Sequence, residues 1–270
     1  MHMEERRIKL FIPVICYNHT ANTEFMFSLI SLTWALKDRG IGFTLLPITF
    51  ESLIPRARNA AVAYFMSDPD ATHLLFIDSD IEFSPDTVFK MLESDRGVIC
   101  AGYAQKALPL DNLKAVFGSG TNDMELCTRT SVHLKLPVTG DEIIEAFYAT
   151  TGFLLIRRDV ISKLIQAYPE RAYRNDIDGY MGAKAEYFYD LFRISIHPDT
   201  NRYESEDYGF SSLLHEIKEP IWVYTDVSLR HMGWFGYPAN LAKQVKLYLQ
   251  AQAAESEPEP EEETTIVPVC

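Results

Sequence analysis

Three groups of residues have the types and spacing to do chemistry. The first is Asp78-Ser79-Asp80, which ends the run "THLLFIDSDIEF". Leu74 to Ile77 read as a strand buried on both faces, so two carboxylates are delivered together at its exit. Hard divalent cations prefer oxygen ligands, and acids flanking one small residue can aim at one locus. The plainer alternative is that Asp78 and Asp80 sit in a turn or cap the helix that begins at Ser84-Pro85. The second group is Glu206-Asp207 in "ESEDYGF". A carboxylate there can act as a general base, or simply occupy a first helical turn with Ser205 as N-cap. The third is cationic: Arg56 and Arg58 of "LIPRARNAAVAYF" lie near a helix start, which favours anions. Two positions apart on a helix they do not share a face, so one of them, Arg58 with Asn59, is expected to reach a ligand.

The elements that must position these groups alternate. Strands are expected over "IKLFIPVICY", "GFTLLPITF", the stretch into Asp78, and "GVICAGYA". Helices fall between them, with Gly40 as a C-cap, Pro55 near a start and Ser84-Pro85 as a second start. Strand and helix in alternation predict an α/β domain with a mixed, mainly parallel sheet. Ligands of such sheets sit outside the carboxyl ends of the strands, where Asp78 and Asp80 fall. Cys16, Tyr17 and Asn18 lie at the first strand's exit, where a base could stack on Tyr17. Lys106 follows the fourth strand and could approach phosphate. The second half is less regular. "LKAVFGSG" and "SVHLKLPVTGDE" suggest short strands and turns, and "AFYATTGFLLI" one strand through Ile156 with a helix from about Asp159. A helix is expected near Glu206, a final strand reaches His231, and "NLAKQVKLYL" forms a packing or oligomer helix.

Composition narrows the class. The 270 residues carry a net charge of −13, which disfavours a nucleic-acid surface. Residues 1–250 are expected to form one domain, with a nucleotide-binding half to about 110 and an acceptor half beyond it. Residues 251–270, with the run "ESEPEPEEE", read as a disordered acidic tail. Four dispersed cysteines suggest a reducing compartment. The charged N-terminus lacks a signal-peptide core, and no apolar run reaches the roughly 18 residues of a membrane span. The expectation is a soluble, cytoplasmic protein (host cytoplasm if viral).

"HLLFIDSDIEF" resembles the Asp-x-Asp element of GT-A-fold, nucleotide-sugar-dependent glycosyltransferases. "LIPRARNAAVAYF", "ATTGFLLIRRDVI" and "YESEDYGFSSLLHEIKEPIWVYTDVSLRHMG" look like further motifs of a phage, algal-virus and bacterial group, in the same order from about Ile8 to Gly233. The resemblance implies a Rossmann-like GT-A domain that transfers a hexose from a nucleotide-diphosphate sugar to a hydroxyl of a glycan or glycoprotein. It implies Asp80 as a ligand of Mn²⁺ or Mg²⁺, completed by His231, with Asp78 facing the ribose or the metal's hydration shell. It further implies Asp207 as base of an inverting enzyme, with Glu206 orienting the acceptor. Thr151 and Gly152 of "TTGF" would form a wall between sugar and acceptor, with Thr150 beside them. The aromatics from Tyr180 to Phe192 could stack on sugars or form a lid, and Trp234 with Phe235 a flap. A retaining transferase or a sugar nucleotidyltransferase on the same fold is the near alternative, although "PVICYNHTAN" lacks the Gly-rich, lysine-bearing phosphate loop of the latter. A catalytically silent nucleotide-sugar or glycan-binding module is the alternative of another class.

Overall fold

The computed structural model describes residues 8–256. The first part of the chain alternates β1 (Lys9–Ile15), α1 (Thr23–Asp38), β2 (Gly42–Ile48), α2 (Ile54–Ser67), β3 (His73–Ile77), β4 (Ile81–Glu82), α3 (Pro85–Glu93) and β5 (Val98–Ala101). Next come α4 (Leu110–Gly118), α5 (Met124–Cys127), β6 (His133–Leu134), β7 (Ile143–Tyr148), β8 (Phe153–Arg157) and α6 (Arg158–Ala167). The chain continues through β9 (Ser195–Ile196), β10 (Tyr203–Glu204), α7 (Glu206–Glu216), β11 (Ile221–Tyr224), β12 (Ser228–Met232), β13 (Gly236–Asn240) and α8 (Leu241–Ser256).

The main sheet has eight strands in the order β2-β1-β3-β8-β5-β11-β7-β6. Parallel and antiparallel pairings are mixed, and only β7 and β8 run against the other strands. This is the α/β class with a mixed sheet expected from the alternation. β3 shows why Leu74 to Ile77 are all apolar. Leu74 and Phe76 enter a core with α2, α6 and α7, while Leu75 and Ile77 enter another with α1 and α3. A strand covered on both faces has no polar side to offer until it ends. Helix starts follow local chemistry: the Asn22 side chain accepts the Glu24 amide, and Ser84 accepts the Asp86 amide ahead of α3. Gly40 takes the left-handed φ of +66° just after α1.

Several expectations are corrected. "LKAVFG" is helix α4, not a short strand. "AFYATTGFLLI" is two strands, and β8 lies between β3 and β5 while β7 pairs β11. Tyr180, Phe188 and Phe192 are buried core, so the aromatic stretch is packing and not a lid. The last helix runs on to Ser256, past the tail boundary expected at 251. The remainder of the acidic run, from 257 on, lies outside the described residues, as does Cys270. No helix among the described residues is long and apolar enough to cross a membrane.

Candidate active site

A cleft of about 670 Å³ opens at the carboxyl ends of β1 and β3, within the usual size range for a small-molecule site. Tyr17, Asn18, Arg58, Asp78, Ser79, Asp80 and Glu206 line it, together with Ile15, Thr20 to Asn22 and Ile54. The loop holding the triplet is fixed by backbone. The Ser79 carbonyl accepts the Asn22 amide at 2.9 Å, and the Asp78 amide donates to Gly152 O at 3.0 Å. Because α1 starts at Asn22, its positive end faces the cleft. Neither acid of the triplet caps α3, which is the role of Ser84.

A small second sheet, β13-β12-β4, explains the meeting of distant residues. β4 follows the triplet directly and pairs with β12, setting His231 opposite Ile81. The Met232 amide donates to Asp80 O at 2.7 Å. His231 Nε2 consequently lies 3.4 Å from Asp80 Oδ1. Its Nδ1 is 2.8 Å from the carbonyl of Ala104. A carbonyl only accepts, so Nδ1 carries a proton, and Nε2 is the ring atom turned toward the Asp80 carboxylate. Lys106 Nζ stands 2.5 Å from Asp80 Oδ2. Burial opposes ionisation of Asp80, but the hydrogen bonds and charges of His231 and Lys106 outweigh it and hold the carboxyl below its ordinary range.

Arg58 is buried, and its guanidinium joins two carboxylates. Nη2 reaches Asp78 Oδ1 at 3.3 Å and Nε reaches Glu206 Oε1 at 3.2 Å. Arg56 points elsewhere, in an ion pair with buried Glu51. Glu206 is shifted upward, first by burial, with the charges of Asp207 and Asp78 adding and Arg58 opposing. Asp207 does not line the cleft. Its Oδ1 accepts the Ser205 hydroxyl and, at 2.9 Å, the Tyr208 amide. Ser205 occupies the N-cap position of α7 but its hydroxyl goes to Asp207, so the expected capping hydrogen bond is replaced.

Asn59 stands apart from the cleft. Its amide is buried and saturated by Leu191 N, Phe192 N, Phe192 O and Asp190. Cys16 is buried beside Ser79, with burial pushing its thiol up. Thr150 and Thr151 are buried, Thr150 beside Ser131 Oγ at 3.2 Å. What approaches Gly152 is a ring: a Cβ there would lie 2.5 Å from Tyr103. Tyr103 also packs edge-on against His231 with centroids 5.2 Å apart. Burial, then the Asp78 charge, raises its phenol. Tyr103 was not singled out in the sequence, and only its place at a strand exit could have drawn notice. Trp234 is fully exposed in the β12–β13 turn, where the Gly233 amide donates to Phe235 O.

Metal fit is partial. Asp80 and His231 converge, Asp78 is drawn to Arg58, and no group of three His, Cys, Asp or Glu side chains able to hold an ion occurs among the described residues. Two protein ligands suit a site where a bound diphosphate supplies the remaining oxygens. A larger cavity, about 880 Å³, lies at the starts of β1 and β3. Its cations are committed: Arg157 to Asp159 at 2.8 Å, Lys163 to Glu219 at 2.8 Å, and Arg158 to the carbonyls of Ala71 and Phe65. The chemistry therefore concentrates in the smaller cleft.

No protein-family model and no curated protein sequence matches the chain. Among solved structures, A197 from STIV is similar at 16% identity and a TM-score of 0.46, covering 84% of this chain and 86% of that one. A glycosyltransferase involved in the glycosylation of the major capsid of PBCV-1 is similar at 13% identity and a TM-score of 0.30, covering 88% of this chain and 98% of that one.

Proposed function

We propose that the chain is a metal-dependent glycosyltransferase that moves a hexose from a nucleotide-diphosphate sugar to a hydroxyl of a glycan or glycoprotein. The observation that carries this reading is the facing pair of Asp80 and His231 Nε2 beside the cleft that the N-terminus of α1 faces. Mn²⁺ or Mg²⁺ held by these two side chains would offset the charge that develops on a departing diphosphate. Lys106 releases Asp80 to the ion and turns to phosphate. Tyr17 offers an exposed ring for the base, and Arg58 fixes Asp78 toward the donor.

Asp207 is assigned as base of an inverting transfer, with its Oδ2 available to an acceptor hydroxyl. A second reading gives that role to Glu206, which lines the cleft and whose proton affinity is raised by burial.

The test is calorimetry with uridine and guanosine diphosphates, with Mn²⁺ and with chelator. Mn²⁺ should tighten binding of one of them at least about tenfold, and Asp80→Asn or His231→Ala should remove that gain. Equal affinity in chelator and in Mn²⁺ would reject the metal-dependent reading.

A further inference from the structure

A second constellation stands outside the cleft, on the first turn of α7. Tyr148 of β7 and Tyr208 of α7 lie 4.6 Å apart, tilted by 33°. Phe147 packs edge-on against Tyr148 at 4.7 Å. The Tyr208 hydroxyl is 2.8 Å from Nε2 of His133 on β6. Arg202 covers both tyrosines, its guanidinium carbon 5.0 and 4.6 Å from the two ring centres.

The hairpin β9–β10 brings Arg202 there and is anchored from below. Glu204 is buried, and its carboxylate accepts the hydroxyls of Tyr148 at 3.3 Å, Ser212 at 2.9 Å and Ser195 at 3.4 Å. The loop at the hairpin's end is shaped by its own backbone. His197 Nδ1 accepts the amides of Asp199 and Thr200, and Asn201 takes the left-handed φ of +54°.

Aromatic rings of this number usually close over one another in a core. Here Phe147 and His133 are exposed, and Arg202 is exposed with no ion pair among the described residues. The guanidinium lies over the tyrosines and hydrogen-bonds the Tyr208 phenol, and with five N–H donors it has further ones to offer a ligand. An apolar ring surface bordered by guanidinium, imidazole and phenol matches a pyranose. The sugar's C–H face is apolar and its rim of hydroxyls needs donors and acceptors. The constellation adjoins the proposed base, since Tyr208 follows Asp207 directly. We propose that this platform holds a pyranose ring of the glycan acceptor beside Asp207. Its role as acceptor subsite rests on the glycosyltransferase reading, whereas its capacity to bind glycan requires neither donor nor metal.

The experiment is an oligosaccharide array probed with the full chain in chelator, without nucleotide. The wild-type chain should retain a defined set of glycans. Arg202→Ala and Tyr208→Leu should each lower that retention at least about tenfold, with unchanged thermal midpoint and unchanged Mn²⁺-dependent diphosphate binding. Trp34→Ala, which removes an exposed aromatic on α1, should leave retention intact. No retention by the wild type, or equal retention by both platform variants, overturns the platform even where diphosphate binding persists. Glycan retention lost in both variants, in a chain that binds no nucleotide diphosphate, supports the platform and counts against the transferase.

Discussion

At the scale of residues, neighbours decide what a carboxylate does. Glu206 and Asp207 are adjacent in sequence, yet one is gripped by Arg58 and the other takes its hydrogen bonds on a single oxygen. The proposed division of labour gives distinct variants. Asp207→Asn should keep diphosphate binding and lower transfer at least about a hundredfold, the usual contribution of a general base. Glu206→Gln should loosen Arg58 and act mainly on KM. Single-turnover and steady-state rates with the acceptor identified by array binding would check this, and the opposite pattern would move the base to Glu206. The acids were legible because they end the apolar run Leu74 to Ile77. Arg58 was legible as an anion binder, but its partners in the structure are the protein's own carboxylates. Asn59 was not legible: its four hydrogen bonds go to residues 190–192, and nothing local in "RARNAA" encodes that meeting.

At the scale of elements, the sequence was clearest where periodicity was undiluted. β3 and α2 fall where their patterns place them, because both are buried deeply enough for the apolar residues to dominate. α4 was misread because a nine-residue helix with one buried residue carries little apolar signal. Its Leu113, Val116 and Phe117 nevertheless keep helical spacing. The break in "AFYATTGFLLI" was hidden because both halves are strand-like, and only tertiary contact separates them. α7 provides a test of how tightly an element is seated. A Cβ at Gly209 would lie 2.3 Å from the backbone oxygen of Arg193, which no side-chain rotation relieves. Gly209→Ala should cost about 1–3 kcal/mol. Gly118→Ala in α4 meets nothing within 4 Å and should be neutral or slightly stabilising. Thermal melts of the two variants compare them directly.

At the scale of the molecule, the sheet has two ends with different work. The carboxyl ends of β1 and β3 carry the cleft, and the starts of the same strands carry the larger cavity with His73 at its wall. Burial, then the charge of Arg157, lowers His73 from 6.5 to about 4. The folded imidazole therefore stays neutral where the unfolded one takes a proton. Stability from this group is complete above pH 6.5 and falls as pH drops toward 4. Urea unfolding should give about 1 to 2 kcal/mol less stability at pH 5 than at pH 7 from this group, allowing for solvent screening. His73→Gln should flatten that difference, and an unchanged slope would remove His73 as its source. Arg58 gives two distant segments a common counterion, with Asp78 at the exit of β3 and Glu206 at the start of α7. Under the proposed function, a donor that pulled Asp78 away would leave the guanidinium to Glu206, so ligand affinity at one carboxylate would answer to occupancy at the other, and reciprocally. On that reading one side chain would serve as the relay between two ligands.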